Sequence, residues 1–393
     1  MPPRQPTRPY PITAYAAASG LGNTAADAWT KLSRGERGLV PCPLDVPFRT
    51  VCGVVTAELP PMPSDRAQQE SRLVRLALLA YRDMADTVSR ARERWGPNRV
   101  AVVLSTSTGG IGETEDAYAY YLAHGCPPPN YDFSEQHAFD VVAQVVGDKA
   151  DVRGPRYVLS TACSSSAKAF GTARRLLDAN VADAVLLGGI DALCLTTVRG
   201  FHSLGVLAET PSRPFGVGRP GMNLGEAAAL CLLEREGAPR AWLRGVGETS
   251  DAFHMSAPDP EGRGARASME AALRDAGLVP SDIDHINAHG TGTERNDVIE
   301  AAAIEAVFGR AVPTVSTKGY TGHTLAACGA LEAIFAMLTL EHGLIPPSVG
   351  AEELDPDVHL SVPTTAVHRP VRNVLSNAFA FGGNNVSLIL GAP

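Results

Sequence analysis

YVLSTACSSSAKAF (Tyr157–Phe170) and PTVSTKGYTGHTLAA (Pro313–Ala327) carry one pattern twice: a short apolar run, a Ser-Thr pair, then a small-residue turn opening into a helical stretch. A second pair repeats the theme. RVAVVLSTSTGG (Arg99–Gly110) and DIDHINAHGTGT (Asp282–Thr293) are each an apolar run that passes into a small-residue loop. Such self-similarity reads as one α/β unit present in two copies. A pseudo-twofold between the copies sets these loops side by side and is expected to bring Cys163, His289 and His323 to one site.

The surroundings agree with an α/β fold. Arg99–Ser105, Ala184–Gly188 and Ala228–Glu234 read as buried strands. Arg72–Ala85 and Ala167–Asn180 read as amphipathic helices, and the alternation points to helices packed on a central sheet. EGAPR (Glu236–Arg240) is the expected boundary, giving an N-terminal half, residues 1–237, and a C-terminal half, residues 238–393. Tyr120–Phe133, with Pro127, Pro128 and Pro129, reads as an excursion from the sheet.

Bulk properties narrow the function. The chain has 393 residues and a net charge of −8 with no compensating basic cluster, which argues against a nucleic-acid binder. Aromatic residues are 6%, so the core is expected to be aliphatic and alanine-rich. No run of about 18 apolar residues is expected to span a bilayer. The Pro- and Arg-rich Met1–Pro11 lacks a secretory apolar segment and reads as a short flexible lead-in. The 7 cysteines form no CxxC pair, so neither zinc site nor disulfide framework is expected, and a reducing cytoplasm is.

Four segments carry chemistry. Cys163 follows an apolar run and opens a helix, where the macrodipole and free N–H groups favour thiolate, the attacking species. A buried inert thiol is the competing reading. His289, in a loop of Gly and Thr, can donate to a developing oxyanion, with Thr291 and Thr293 placed to bond a polar substrate arm; the bland alternative is a glycine turn with a bystander His. His323 stands at the entry to a helix beginning near Thr324, with Lys318 upstream and Glu332 downstream as a possible ion pair; solvated charges at an ordinary helix start would look the same. SNAFAFGGNN (Ser376–Asn385) sets Phe379 and Phe381 before Gly382 and Gly383, either a hinge with an aromatic gate or a tight turn with core phenylalanines. Cys194 and Cys328 read as small core residues. No GxSxG elbow, complete phosphate-binding fingerprint or metal-ligand histidine spacing is present.

In this order and spacing, TACSSS, HGTGT, STKG, GHTLAACG and FAFGGNN resemble the chain-elongating β-ketoacyl-acyl carrier protein synthases, over nearly the whole chain from GLGNTAADAW onward. The resemblance implies the thiolase fold, a duplicated five-layer αβαβα architecture. It implies that Cys163 is acylated by the primer, and that His289 and His323 stabilise the malonyl thioester oxyanion. It makes Lys318 the supporting lysine and Glu332 its acidic partner, and assigns the acyl oxyanion hole to the N–H groups of Cys163 and Phe381. Phe381 is then the gate, flanked by Phe379 and Gly382. Thr291 and Thr293 meet the phosphopantetheine arm, Thr108 the acyl pocket, and His254 the malonyl entrance. No metal or redox cofactor is implied, since phosphopantetheine arrives on the acyl carrier protein. The expected assembly is a homodimer, or a heterodimer with a related chain-length subunit.

The departures matter too. SRPFGVGRPGMNLGEAA (Ser212–Ala228) stands where many members read SRPFDxxRDGFVxGEGA, so Gly216 replaces an acid and Met222-Asn223 replace Phe-Val. FAFGGNN stands for FGFGGTN, which puts Ala380 and Asn384 in the gate loop. This pattern resembles ketosynthases of aryl-polyene and related polyene pathways more than housekeeping fatty-acid elongation, the enzyme alternative. A non-catalytic partner subunit is the alternative from another class, and Cys163 argues against it.

Overall fold

The computed structural model describes residues 7–393. Ten strands form its main sheet, numbered here β1 (Tyr10–Ser19), β2 (Val100–Ser105), β3 (Arg156–Leu159), β4 (Ala184–Asp191), β5 (Ala227–Glu234), β6 (Ala241–Ser250), β7 (His285–Asn287), β8 (Thr314–Val315), β9 (Asn373–Phe379) and β10 (Asn384–Gly391). Their spatial order is β8-β7-β9-β10-β6-β1-β5-β4-β2-β3. The first five strands read outward from the middle as 1-5-4-2-3, the second five as 6-10-9-7-8. Pairing directions repeat as well: β2 is parallel to β3 and β4, as β7 is to β8 and β9. The next pairs, β4–β5, β5–β1, β9–β10 and β10–β6, are antiparallel. The expected duplication is thus present strand for strand. The half-sheets meet where Tyr10–Ile12 of β1 pair with Ala241–Leu243 of β6.

Alternation along the strands shows the layers. In β2, Ala101 and Val103 pack towards the central helices α3 (Ser165–Asp178) and α6 (Cys328–His342). Val100, Val102 and Leu104 pack the other way, onto α1 (Arg72–Arg82) and α2 (Val141–Lys149). Side chains alternate across a strand, so one run of Val, Ala and Leu serves two cores. The C-terminal half-sheet is covered outside by α4 (Arg263–Ala276) and α5 (Glu294–Phe308). The result is five layers, αβαβα.

Element positions depart from expectation in four places. The run beginning at Arg72 is broken after Arg82, and a separate helix, Ala85–Trp95, follows. The helix expected from Thr324 starts as a tight turn, Leu325–Ala327, before α6. Tyr10 and Pro11, read as lead-in, already belong to β1, because Tyr10 is buried; residues 1–6 lie outside the described residues. Finally, one segment does reach bilayer length: Leu325–His342 spans 18 residues with mean hydropathy 1.4, and 89% of it is buried. It is apolar all round because it fills the central layer between the two half-sheets.

Candidate active site

Cys163 enters the site between β3 and α3. Ala162 takes φ +50°, a left-handed turn that swings the chain from strand to helix. Ser165 holds this turn, accepting from Thr161 N–H at 2.8 Å and donating to the Ala162 carbonyl at 2.5 Å. Cys163 is 7% exposed and faces a cavity of about 490 Å³.

His289 follows β7. Its N–H donates to Glu300 Oε1 at 2.8 Å, and the Gly290 N–H to Glu300 Oε2 at 2.7 Å. Gly290 has φ +39°, and a Cβ there would stand 2.4 Å from Ser316 Cβ, so only glycine fits. Ser316 closes the gap by donating to the Gly290 carbonyl at 2.6 Å, which ties the two C-terminal-half loops together.

His323 is held across a short bridge to the segment before β5. Its N–H donates to the Asn223 carbonyl at 2.7 Å, and Gly225 N–H donates to the His323 carbonyl at 3.0 Å. The preceding residue, Gly322, takes φ +70°, and a Cβ there would stand 2.5 Å from the Leu224 carbonyl oxygen. Asn223 is itself pinned, accepting from Ser212 N–H at 2.7 Å and donating to the carbonyls of Ala208 and Thr210. The Asn223 departure therefore has a structural use: it anchors the segment that holds His323. Gly216 has one too, since a Cβ there would stand 2.2 Å from the Gly350 oxygen.

The three groups converge. His323 Nε2 lies 2.9 Å from Cys163 Sγ, and the two imidazoles stand edge to face with centroids 5.4 Å apart. One ligand atom from each of Cys163, His289 and His323 falls within 4.8 Å of the others, so the convergence expected from the pseudo-twofold is present. Leu325 N–H donates to His323 Nδ1 at 3.3 Å, which leaves the ring proton on Nε2, facing the sulfur. His289 Nδ1 is buried without a partner among the described residues. Burial, with the Lys318 charge in support, holds both imidazoles well below the usual histidine range, so both are neutral N–H donors.

Lys318 lies behind this layer, buried, with Nζ 2.5 Å from Glu332 Oε1. Burial, the largest influence, depresses its pKa, but Glu332, with Cys328 and Glu300 in support, outweighs it, and the net shift is upward. The expected ion pair is therefore in place, outside the cavity wall.

The thiolate expected at Cys163 is not its resting form. Burial pushes the thiol up to about 11, against the lowering pull of Lys318 and of the Phe381 and Cys163 backbone N–H groups. Helix-terminus stabilisation is real here but smaller than the cost of burying a charge.

Of the other expected residues, Thr291, Thr293, His254, Phe379 and Phe381 line the cavity. Thr291 and Thr293 share a 2.9 Å hydroxyl bond, and His254 is exposed on the rim. Thr108 and Gly382 are not in the wall. Thr108 is held in the loop after β2, where its N–H reaches Thr106 Oγ1 at 3.4 Å, and Gly382 turns outward at φ +82° with its N–H on the Met255 carbonyl. Cys194 is buried, and Cys328 is buried with its thiol donating to the Cys163 carbonyl at 3.2 Å.

Sequence reasoning missed two buried acids. Glu300 holds the His289 loop as described. Asp191, at the end of β4, accepts from Thr106 Oγ1, Ser107 N–H and Ala326 N–H, fixing the turn after His323. Asp297 and Glu300 stand three apart on one face of α5, a signal that was readable as an inward acidic pair.

A buried thiol at a helix start, facing two neutral imidazoles on a duplicated α/β frame, is the equipment of a thiol-dependent acyltransferase. Family models agree: residues 8–238 match the beta-ketoacyl synthase N-terminal domain and residues 240–352 the C-terminal domain. The chain belongs to the beta-ketoacyl synthase family. It is 33% identical to nodulation protein E of Rhizobium meliloti, covering 96% of this chain and 97% of that protein. It is 32% identical to 3-oxoacyl-acyl-carrier-protein synthase 2 of Coxiella burnetii, again covering 96% and 97%. Among solved structures, a ketosynthase of Xenorhabdus doucetiae in complex with its chain length factor superposes with TM-score 0.92 at 38% identity, over 98% of each chain.

Proposed function

We propose that the enzyme extends acyl chains by decarboxylative Claisen condensation, with Cys163 as the acyl-carrying nucleophile. The carrying observation is the 2.9 Å contact between His323 Nε2 and Cys163 Sγ at the cavity floor. Cys163 attacks the acyl thioester on a carrier protein, and its thiol proton leaves with the carrier's thiol. The N–H groups of Cys163 and Phe381 receive the carbonyl oxygen of that step. Malonyl-carrier protein then loses CO₂ while His289 and His323 donate to the enolate oxygen. The carbanion attacks the Cys163 thioester, releasing a β-ketoacyl product and a Cys163 thiolate, which takes a proton from water to restore the thiol. Lys318 and Glu332 support the histidines, Phe381 is the gate, and Thr291, Thr293 and His254 line the way in. The step needs no metal or redox cofactor, and phosphopantetheine comes with the carrier protein. The cytoplasm is the proposed location.

The finer reading is a specialised aryl-polyene or polyene pathway. Ala380, Asn384 and the Gly216–Asn223 segment support it. A related chain-length subunit is the proposed partner: β3 is the outer strand of its half-sheet, with Tyr157 exposed, and the ishigamide ketosynthase/chain length factor is a second likeness at TM-score 0.91. Fatty-acid elongation is the alternative, favoured by the Coxiella likeness.

The test is intact mass after incubation with carrier proteins bearing saturated, unsaturated or aryl-enoyl chains, with Cys163→Ala as control. A Cys163-dependent adduct preferring aryl or polyenoyl chains supports the specialised reading. Preference for saturated chains returns the enzyme to fatty-acid elongation. No adduct, with or without an added partner subunit, sinks the catalytic reading.

A further inference from the structure

We infer that Lys168 and Asn384 are positioning residues that strap the gate loop to the nucleophile's helix. Lys168 lies on α3, the helix that Cys163 precedes, and its Nζ donates to Asn384 Oδ1 at 2.6 Å. Asn384 opens β10 and closes the gate loop with its main chain: its carbonyl accepts from Ala380 N–H at 2.8 Å, while Gly383 N–H reaches the Ala380 carbonyl at 3.1 Å. Phe381 sits inside this closed turn and lines the same cavity as Cys163. One residue therefore fixes the loop twice, by backbone to Ala380 and by side chain to the helix that delivers the sulfur. A lysine bond to an amide oxygen is charge-assisted, hence shorter and stronger than a neutral one.

The sequence departures fit this role. Threonine, common at position 384 in the resembled family, carries its oxygen one bond nearer the backbone. Asparagine extends the acceptor towards α3. Ala380 removes the φ freedom a glycine would give the same turn, so strap and alanine restrict one loop together. The far side is tethered too, by Gly382 N–H to the Met255 carbonyl and Asp251 N–H to the Gly383 carbonyl.

This inference rests on the proposed role of Cys163. The experiment compares wild type, Lys168→Met, Asn384→Ala, the double variant and Asn384→Asp for single-turnover primer transfer and acyl-enzyme hydrolysis. Melting temperature and amide exchange at residues 380–383 are read in parallel. Each single variant is expected to slow transfer at saturating carrier about five- to tenfold, with KM within about twofold. Hydrolysis and local amide exchange are expected to rise, the double variant to be no worse than either single, and Asn384→Asp to keep the wild-type rate. Singles that transfer at the wild-type rate, or losses that multiply in the double variant, overturn the strap. Should Asn384→Ala fold poorly, Lys168→Met at its half-buried helix position decides alone. Wild type that never acylates at Cys163 overturns the functional reading itself; wild type and singles that acylate alike overturn only the strap.

Discussion

Residues 160–164 and residues 316–327 occupy the same place in the two halves, each running from the outermost strand of its half-sheet into a central helix. The N-terminal segment is short, turns once at Ala162 and delivers Cys163 to the cavity. The C-terminal segment is longer. It folds a helical turn, Lys318–Thr321, and a second tight turn, Leu325–Ala327, before α6 begins. That added length brings Lys318 behind the site and His323 onto the sulfur. The same frame thus presents a nucleophile from its short loop and the groups that polarise substrate from its long one. Duplication supplied the positions, and loop length divided the work.

The largest effect separates the two helix starts. Cys163 and Cys328 both lie at the N-terminal end of a central helix, yet only Cys163 lines the cavity. Cys163→Ala is expected to lower turnover by on the order of 10⁴-fold or more and to abolish the acyl adduct. Cys328→Ala is expected to stay within about threefold of wild type, since its thiol makes one bond to a backbone carbonyl. Steady-state condensation and intact mass measure both. A Cys328→Ala enzyme as dead as Cys163→Ala would break the division of labour.

The two histidines sharpen it. His289→Ala and His323→Ala are each expected to slow malonyl decarboxylation by on the order of 10²–10³. Only His323 touches the sulfur, so His323→Ala alone is expected to slow primer transfer as well. Release of labelled CO₂ and single-turnover acylation separate the steps. Equal acylation in both variants would remove His323 from the nucleophile's surroundings.

Much of this was legible in the sequence, for a physical reason. A strand buried on both faces reads as an unbroken apolar run, so β2, β4 and β5 stand out from Arg99–Ser105, Ala184–Gly188 and Ala228–Glu234. Loops that must admit substrate are forced to small residues, which is why the Cys163 and His289 segments announced themselves. β1 was hidden because Pro11 and the Arg-rich start mask its first residues. Asp191 was hidden because a buried acid is identified by the backbone N–H groups it accepts, and those of Ser107 and Ala326 come from distant segments. The thiol's raised pKa was hidden for a related reason: helix-terminus stabilisation is local, whereas desolvation depends on everything packed around Cys163.

Lys318 tests how far the long loop's charge reaches the short loop's sulfur. It is the largest influence holding the Cys163 pKa down against burial. Lys318→Met removes that pull, so the thiol's pKa is expected to rise further and iodoacetamide alkylation at pH 8 to slow by about tenfold, with no plateau as pH increases. The variant also leaves Glu332 buried without its cation, a loss of about 3–5 kcal/mol in unfolding free energy. Adding Glu332→Gln is expected to restore most of the stability but not the alkylation rate. Recovery of both would mean that the lysine acts through packing alone.

Glu300 gives a small effect on turnover and the clearest one on pH. Burial lifts its carboxyl to about 7 from 4.5, with the N–H bonds from Gly290 and His289 opposing. A folded-state value above the unfolded one means that the folded protein binds the proton more tightly. The stability from this group is therefore full below about pH 4.5 and is lost as pH rises through 7, by roughly 3 kcal/mol. Asp191, lifted by burial to about 6, acts in the same direction at slightly lower pH. Glu300→Gln removes the titration while keeping one acceptor oxygen for the His289 loop. Denaturant unfolding at pH 5 and pH 8 is expected to show a smaller difference in the variant than in wild type, with turnover down by less than about tenfold. An unchanged difference would mean that the carboxylate stays charged across this range, held by its N–H partners, and that the His289 loop is anchored by an ion rather than by a neutral acid.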